Sequence, residues 1–422
     1  MLLRPLAAAG RSIQLQKSRA AGRHVKKVLV YKSDLLPYSE TFIREQVKAC
    51  RTFHPVLVGT HGLDNGLPLD GVDVRYLRGV RAGGRYAEVA WKLLREAGLA
   101  PPGVVRRLRA EQAELVHVHF ATEAVAMWPA LRRLGLPVLI TLHGADINTH
   151  RAWWESPGRG PFSRHYPQRL LAMSQHPDVH FIAVSHAVRE TAIAYGIPAE
   201  KVHVRYIGID LQRFRPGGKP VGERGPRILY VGRMVEKKGG QHLIDAFAAV
   251  RAKVPQAELV MVGDGPLMDS FRARAEQLGV PVQWMGRQPS DIVRREFEQA
   301  SVFCLPSITA ENGDAEGLPI VVMEAQACGV PVVTSARGGA TEGIVHGQTG
   351  LAFGEGDVPG LTAALLQILT EPGLAQRMSE AAVPFARARF DIGRCTALLE
   401  QDYAAWARRH RPATDQSQEP AA

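Results

Sequence analysis

The sequence predicts an α/β protein made of two doubly wound domains facing a cleft. Three observations carry that prediction. Short β-branched runs alternate with helical patterns from residue 27 onward, the pattern restarts after a segment dense in Gly and Pro, and 422 residues suffice for two domains. At 45% hydrophobic and 22% charged, the composition is that of a globular chain with a sizeable core.

Residues 1–26 read as a basic N-terminal tail, since residues 1–33 hold eight Lys/Arg and no Asp or Glu. That bias suits an organellar transit peptide or a disordered, surface-seeking tail; the opening MLLRPLAAAG is too short and interrupted for a secretory signal. The first domain is expected over 27–214, with strands at 27–31, 55–59, 72–77, 114–120, 138–143, 180–185 and 202–207. RPGGKPVGERGP, residues 215–226, is the linker. The second domain is expected over 227–390, with strands at 227–233, 258–263, 282–286, 302–307, 330–335 and 349–353. A helix over 391–410, carrying Tyr403 and Trp406, is expected to pack back on the first domain, and 411–422 reads as a disordered tail.

No apolar run approaches eighteen residues, so no membrane-spanning helix is expected. Cys50, Cys304, Cys328 and Cys395 are widely spaced without a CxxC pair, which predicts reduced thiols. His117 and His119 alternate on one strand, but no carboxylates stand near them to complete a metal site, and no Asp-x-Asp occurs.

In DAEGLPIVVMEAQACG, residues 314–329, two carboxylates interrupt an apolar stretch. Pro319 suits a first helical turn and Gly329 the position past the end, which predicts a helix over about 318–328. Glu316 and Glu324 would then lie near one face, about 12 Å apart if helical geometry held over the whole span. The amides of Gly317 and Leu318, at the positive end of the helix dipole, form an anion site suited to phosphates. Glu324, among apolar neighbours, needs hydrogen-bond donors, and ribose hydroxyls qualify. The plain alternative is that Glu324 faces solvent and Glu316 only caps the helix.

RILYVGRMVEKKGG sends Arg233 and Lys238 out of the carboxyl end of a strand, where ligands bind in doubly wound sheets. Two cations there can neutralise a diphosphate; a solvated basic loop is the alternative. VGDGPL, residues 262–267, places Gly263 and Asp264 in another turn after a strand, either beside a ligand or only shaping the turn.

From about residue 27 to 408 these motifs resemble the retaining glycosyltransferase family 4, nucleotide-sugar-dependent enzymes of the GT-B fold. The resemblance implies that Glu316 lies near the transferred sugar and Glu324 on the ribose, with Arg233 and Lys238 holding the diphosphate. Gly317, Leu318, Pro319, Gly263 and Asp264 would complete the donor site. YSETFI (38–43), VHVHFA (116–121), TLHGADI (141–147) and PSITAENGDAEG resemble the exopolysaccharide enzymes of the colanic-acid type. By that resemblance His143 is the active-site histidine, followed by Gly144 and Asp146, and Ser39, Glu40 and Thr41 join the substrate site. YIGID and GGATEGIV replace the commoner Asn-Gly-Val-Asp and Gly-Gly-x-Pro-Glu forms, which leaves the sugar contacts of Gly339 and Glu342 open.

The implied reaction moves a sugar from a UDP- or GDP-sugar to a glycan or polyprenyl-linked acceptor in cell-surface polysaccharide synthesis. It needs no metal and no further cofactor. The expected place is the cytoplasm, at the inner face of the plasma membrane. Two rivals are a nucleotide-sugar epimerase and a non-catalytic sugar-nucleotide binder of the same fold. The net charge is +11, and residues 75–109 contribute Arg75, Arg78, Arg81, Arg85, Lys92, Arg95, Arg106, Arg107 and Arg109 around Trp91, Leu93 and Leu94. That pattern suits an anionic bilayer surface, or else a solvated helix face. Nucleic acid is not expected, because no aromatic-interleaved recognition motif accompanies the charge.

Overall fold

The computed structural model describes residues 25–64, 66–78 and 84–410. Residues 1–24 of the tail expected over 1–26, the tail expected over 411–422 and Arg81 lie outside the described residues, as do the side chains of Arg85, Lys92 and Arg95.

The first half contributes β1 Lys27–Tyr31, β2 Asp34–Leu35, β3 His54–Gly59, β4 His61–Gly62, β5 Asp73–Tyr76, β6 Leu115–His119, β7 Val138–Leu142, β8 Val179–Ala183 and β9 Val202–Val204. The second contributes β10 Arg227–Val231, β11 Glu258–Val262, β12 Val282–Gly286, β13 Val302–Leu305, β14 Val332–Ser335 and β15 Gly350–Phe353. Two parallel sheets result, ordered β5-β3-β1-β6-β7-β8-β9 and β12-β11-β10-β13-β14-β15. Helices cover both faces of each sheet, so central strands such as Val28-Leu29-Val30 and Leu259-Val260-Met261 are almost wholly buried and read as unbroken apolar runs.

Every strand expected from the sequence is present: 27–31 and 282–286 match, His54–Gly59 and Val179–Ala183 start one residue early, and several carboxyl ends shorten, 202–207 to Val202–Val204 and 302–307 to Val302–Leu305. The trimmed residues pass beyond the last ladder bond into loops at the carboxyl edge. Strands β2 and β4, two residues each, pair with one another apart from the main sheets and were not foreseen.

Strand order reverses between β1 and β6 in one sheet and between β10 and β13 in the other. In open α/β sheets, ligands bind outside the carboxyl ends of strands at such switch points. Topology alone therefore selects the residues after β1 (Lys32), β6 (Phe120), β10 (Gly232, Arg233) and β13 (Pro306, Ser307).

The last helix, Ile392–His410, packs on the first sheet and on the helix Thr41–Ala49. Tyr403 and Trp406 are 1% and 5% exposed, and the Trp406 ring stacks on His180 with centroids 4.6 Å apart. The Glu400 carboxylate accepts three successive amides, from Arg51, Thr52 and Phe53, at 3.0, 2.8 and 2.9 Å. Where the chain crosses between the halves, the Ile209 amide donates to Phe390 and the Ile392 amide donates to Ile209, at 2.8 and 3.1 Å.

One expectation needs correction. The helix expected over 318–328 spans only Ile320–Ala327, and Pro319 precedes its first turn with ψ 109°. Gly329 does follow the helix, with φ +70°. Glu316 stands four residues ahead of the helix in irregular backbone, so the two glutamates do not share a helical face. Contacts with the other half hold residues 315–317 out of helical geometry: the Asn148 side chain donates to the Ala315 carbonyl at 3.1 Å.

Candidate active site

Glycine allows the two halves to meet backbone to backbone. A Cβ added at Gly317 would run into the His143 carbonyl and the Gly144 amide, and one at Gly339 into the Gly317 carbonyl. Gly144 has φ +120°, which side-chain-bearing residues rarely adopt. The loop after β7 thus lies directly against the segment carrying Glu316. Among the described residues, the Gly317 and Leu318 amides have no acceptor. Beside this junction lies a pocket of about 310 Å³, lined by Asn148 and Thr191 from the first half and by Thr309, Glu316 and Gly338 from the second.

Glu316 is 8% exposed and pairs with the Lys238 ammonium at 2.7 Å, while Ser307 donates to the same carboxylate at 3.0 Å. Burial alone would raise its pKa; the charges of Lys238 and Lys237, with hydrogen bonds from Lys238 and Ser307, outweigh that and hold it below the ordinary value. Lys238 is therefore placed by a tight 3-10 turn, Glu236–Lys238, and fixed by the carboxylate it faces. Lys237 pairs with Asp314 at 2.9 Å. Arg233, by contrast, is exposed, and no carboxylate pairs with it among the described residues. Its loop is locked from behind: Met234 donates to the Asp264 carbonyl and Leu267 to the Met234 carbonyl, each at 3.0 Å.

Gly263, with φ +137°, packs so closely on the Gly232 carbonyl that no side chain fits. The Asp264 carboxylate accepts the next amide, that of Gly265, at 2.8 Å, which is the turn-shaping alternative. Asp146 is likewise an internal brace. It is 2% exposed and accepts amides from Ala121, His143 and Gly144 at 2.8, 3.0 and 3.0 Å, tying the β7 loop to the helix Ala121–Leu134. Burial, against those amides, raises its pKa to about 6.

His143 sits in an aromatic cage, with ring centroids of Phe120, Phe42 and His119 at 4.4, 5.0 and 5.2 Å. Phe42 belongs to YSETFI, which brings Ser39, Glu40 and Thr41 to this end of the sheet. The partner of His143 is a second histidine: its Nε2 lies 3.0 Å from Nδ1 of His119, whose own Nε2 is buried without a partner. Only one of the two facing nitrogens carries the proton. Putting it on His143 would strand a buried N–H at His119 Nε2, whereas putting it on His119 Nδ1 strands only a lone pair. His143 therefore accepts at Nε2 and keeps its own proton on Nδ1, as a hydrogen-bond donor. Burial, aided by His117 and Lys32, lowers its pKa to about 3, so it is neutral at physiological pH and shuttles no proton there.

Sequence reasoning missed two participants, Lys32 and His119, and left the place of Glu342 open. Lys32, at the β1 switch point, is 7% exposed and lies between Glu123 and Glu40, at 3.4 and 3.6 Å. The signal was its position directly after a strand. Burial, offset in part by Lys32, raises the Glu40 pKa to about 7. His119 was read only as a failed metal ligand. Glu342 caps the helix His186–Tyr195 from the other half, accepting the His186 and Ala187 amides at 3.0 Å each, and takes the Tyr206 hydroxyl at 2.9 Å.

Glu324 lies in the apolar helix Ile320–Ala327, partly buried, and no hydrogen bond or ion pair to its carboxylate exists among the described residues. Burial, only partly offset by Arg213, raises its pKa to about 7.

Two parallel α/β units facing one another across a glycine backbone contact form the GT-B fold. Residues 39–213 match the family model described as Glycosyltransferase Family 4, and residues 215–383 match Glycosyl transferases group 1. The amylovoran biosynthesis glycosyltransferase AmsK of Erwinia amylovora is 33% identical over 291 residues, 68% of this chain and 67% of that one. A GDP-mannose-dependent alpha-(1-6)-phosphatidylinositol monomannoside mannosyltransferase of Mycobacterium tuberculosis (strain CDC 1551 / Oshkosh) is 32% identical over 291 residues, 66% of this chain and 72% of that one. The fold is that of Anabaena Alr3699/HepE, solved in complex with UDP and glucose: TM-score 0.72, 20% identity, 90% of this chain and all of that one covered. The chain belongs to the family 4 glycosyltransferases.

Proposed function

We propose that this glycosyltransferase transfers a hexose, with retention of configuration, from a UDP- or GDP-sugar to a lipid-linked glycan in exopolysaccharide synthesis. The second half serves as the donor domain, over 227–390, and the first as the acceptor domain, over 27–214. The observation that carries the reading is the Lys238–Glu316 pair beside the Gly317 amide, directly against the His143 loop. As the glycosidic bond breaks, negative charge grows on the leaving diphosphate and positive charge on the sugar. Lys238, Arg233 and the free amides of Gly317 and Leu318 stabilise the first. Glu316 orients Lys238, and the His143 Nδ1 proton holds a sugar hydroxyl. The leaving phosphate takes the acceptor proton on the same face, which dispenses with a dedicated protein base. No metal is assigned a role. The relatives support the pathway and the nucleotide choice: amylovoran biosynthesis for one, GDP-mannose dependence for another.

Purified protein incubated with UDP- and GDP-sugars and a lipid-linked glycan tests the proposal. The expected product keeps the anomeric configuration of the donor by NMR; an inverted product, or epimerised donor without transfer, overturns it.

Glu324 gives a pH signature. Its folded pKa of about 7 lies above the ordinary carboxyl value of 4.5, so the folded chain holds this proton more tightly than the unfolded chain does. Its contribution to stability is therefore lost as pH rises from about 4.5 through 7. Glu324→Gln is expected to stabilise the apoprotein at pH 8 by about 3 kcal/mol, the equivalent of the rise from 4.5 to about 7. If ribose hydroxyls donate to this carboxylate, donor affinity weakens roughly tenfold from pH 8 to pH 6 in the wild type. Calorimetry should find that slope flattened in Glu324→Gln. A slope surviving the substitution would move the titration to Glu40, whose pKa is also raised to about 7.

The basic stretch gains definition from the helix Arg85–Glu96. Tyr86, Val89 and Leu93 are 92%, 50% and 59% exposed at spacings of three and four residues, so they form one outward stripe, with Leu99 beyond at 50%. Trp91 instead packs inward beneath the Arg78 guanidinium, 5.5 Å from the ring. Several of the cations are already engaged: Arg75 with Asp73 and Glu111, and Arg107 with the Leu77 carbonyl. The stripe supports a peripheral membrane site in which the apolar residues do the inserting. Tyr86→Ser with Leu93→Ser should lower affinity for anionic liposomes about thirtyfold or more by co-sedimentation, since each lost side chain removes roughly 1 kcal/mol or more, with little change in thermal midpoint. Unchanged pelleting removes the helix from the proposal.

A further inference from the structure

A second cavity, of about 750 Å³, shares no residue with the junction pocket. It lies where the edge strand β9, the helix His186–Tyr195 and residues 388–398 meet. Its wall carries four guanidinium groups, those of Arg189, Arg205, Arg389 and Arg394. Arg205 is committed to Asp402 at 2.8 Å. The other three have neutral partners: Arg189 donates to the Val202 carbonyl at 3.1 Å, Arg389 to the Tyr206 hydroxyl at 2.7 Å, and Arg394 to the Ala388 carbonyl. Among the described residues, no carboxylate forms an ion pair with any of these three. The one lining carboxylate, Glu200, stands on the exposed turn Ala199–Lys201.

Between the cations the wall is apolar. Val202 and Cys395 are 3% and 6% exposed, and Leu398 forms the rim at 39%. Like charges gathered around an apolar hollow repel one another unless an anion joins them. The planar guanidinium fork matches phosphate oxygens two at a time, a geometry carboxylate-free arginines leave open. The volume is in the range of cavities that enclose small organic ligands, about 300–1,000 Å³.

We infer that this cavity binds a phosphate ester. Its phosphate or diphosphate is held by Arg189, Arg389 and Arg394, and its apolar or ring-bearing body rests on Val202, Cys395 and Leu398. The site is connected to the junction between the halves. Arg389 donates to the Tyr206 hydroxyl, Tyr206 donates to Glu342, and Glu342 caps the helix of the opposite half. A ligand that draws on Arg389 therefore pulls on a chain of bonds ending where the halves touch.

Equilibrium binding to the purified full chain tests this, with inorganic tripolyphosphate and with monomeric dioctanoyl phosphatidic acid below its micellar concentration as probes. One-to-one binding of at least one probe is expected, weakened tenfold or more in Arg189→Ala/Arg394→Ala and also in Leu398→Glu, whose rim position tolerates the change. The same binding should persist in Lys238→Ala/Glu316→Gln, which alters the proposed donor site. Tripolyphosphate binding alone identifies a soluble phosphate ligand, and binding of the lipid alone identifies a lipid headgroup. Binding indifferent to the Arg189/Arg394 and Leu398 variants, or no one-to-one binding of either probe at millimolar concentration, overturns the inference.

Discussion

Lys238→Ala is expected to lose both turnover and stability, and a second substitution should separate the two losses. The ammonium is the closest charge partner of a carboxylate only 8% exposed, so its removal leaves Glu316 buried with the Ser307 hydrogen bond and only the more distant charge of Lys237. Breaking one side of a buried pair costs about 3 kcal/mol or more. The sequence alone suggests that turnover would fall far more than stability; the ion pair changes that expectation. Glu316→Gln in the Lys238→Ala background removes the uncompensated charge and should recover most of the thermal midpoint. It should not recover catalysis, because the leaving diphosphate still lacks its cation, a deficit of order 10²–10³ in kcat. Thermal unfolding and nucleotide release, measured on the two single variants and the double, decide the matter. A double variant with near-wild-type kcat removes Lys238 from the chemistry. The pair also predicts acid sensitivity: a carboxyl with a lowered folded pKa contributes stability above its unfolded pKa and loses it as pH falls through the folded value.

Gly317→Ala is expected to cripple transfer while leaving each half folded. One added methyl group meets the backbone of His143 and Gly144, which cannot rotate aside as a side chain can. The halves must then separate by about an ångström, and misplacement on that scale costs about 10²-fold in rate. The added methyl touches neither sheet interior, so the thermal midpoint should fall much less than activity does. Gly222→Ala serves as the control, because the nearest neighbour to its added atom is the Gln376 side chain at 3.5 Å. Wild-type transfer by Gly317→Ala would show that this contact is not part of the working geometry.

The aromatic cage and histidine pair show why part of the site was invisible in one dimension. TLHGADI marked His143, but its tautomer depends on His119, which lies on the neighbouring strand and is set beside it by register: His119 pairs with Thr141 across β6 and β7. No spacing rule contains that pairing. Asp146 and Glu342 teach the same lesson in reverse. A carboxylate in a motif invites a ligand, yet both are filled by backbone amides: Asp146 by two of its own loop and one from the helix Ala121–Leu134, Glu342 by two from the opposite half.

Residue order along the chain sets which elements form and which chemistry is available to them. Strands buried on both faces must be continuous apolar runs, and Gly and Pro punctuate them, so thirteen strands and their division into two halves are written locally. The types of residue at 233, 238, 316 and 324 likewise restrict the site to anion and hydroxyl recognition. Tertiary structure alone decided which of those groups meet. Strand order created the two switch points, the contact of Gly317 with the His143–Gly144 backbone brought one half against the other, burial set the protonation of Glu324 and His143, and the Lys238 charge, with that of Lys237 and the hydrogen bonds, outweighed burial at Glu316. The reason is physical: periodicity and turn chemistry act over a few residues, whereas desolvation and charge pairing depend on distances between atoms far apart in the chain.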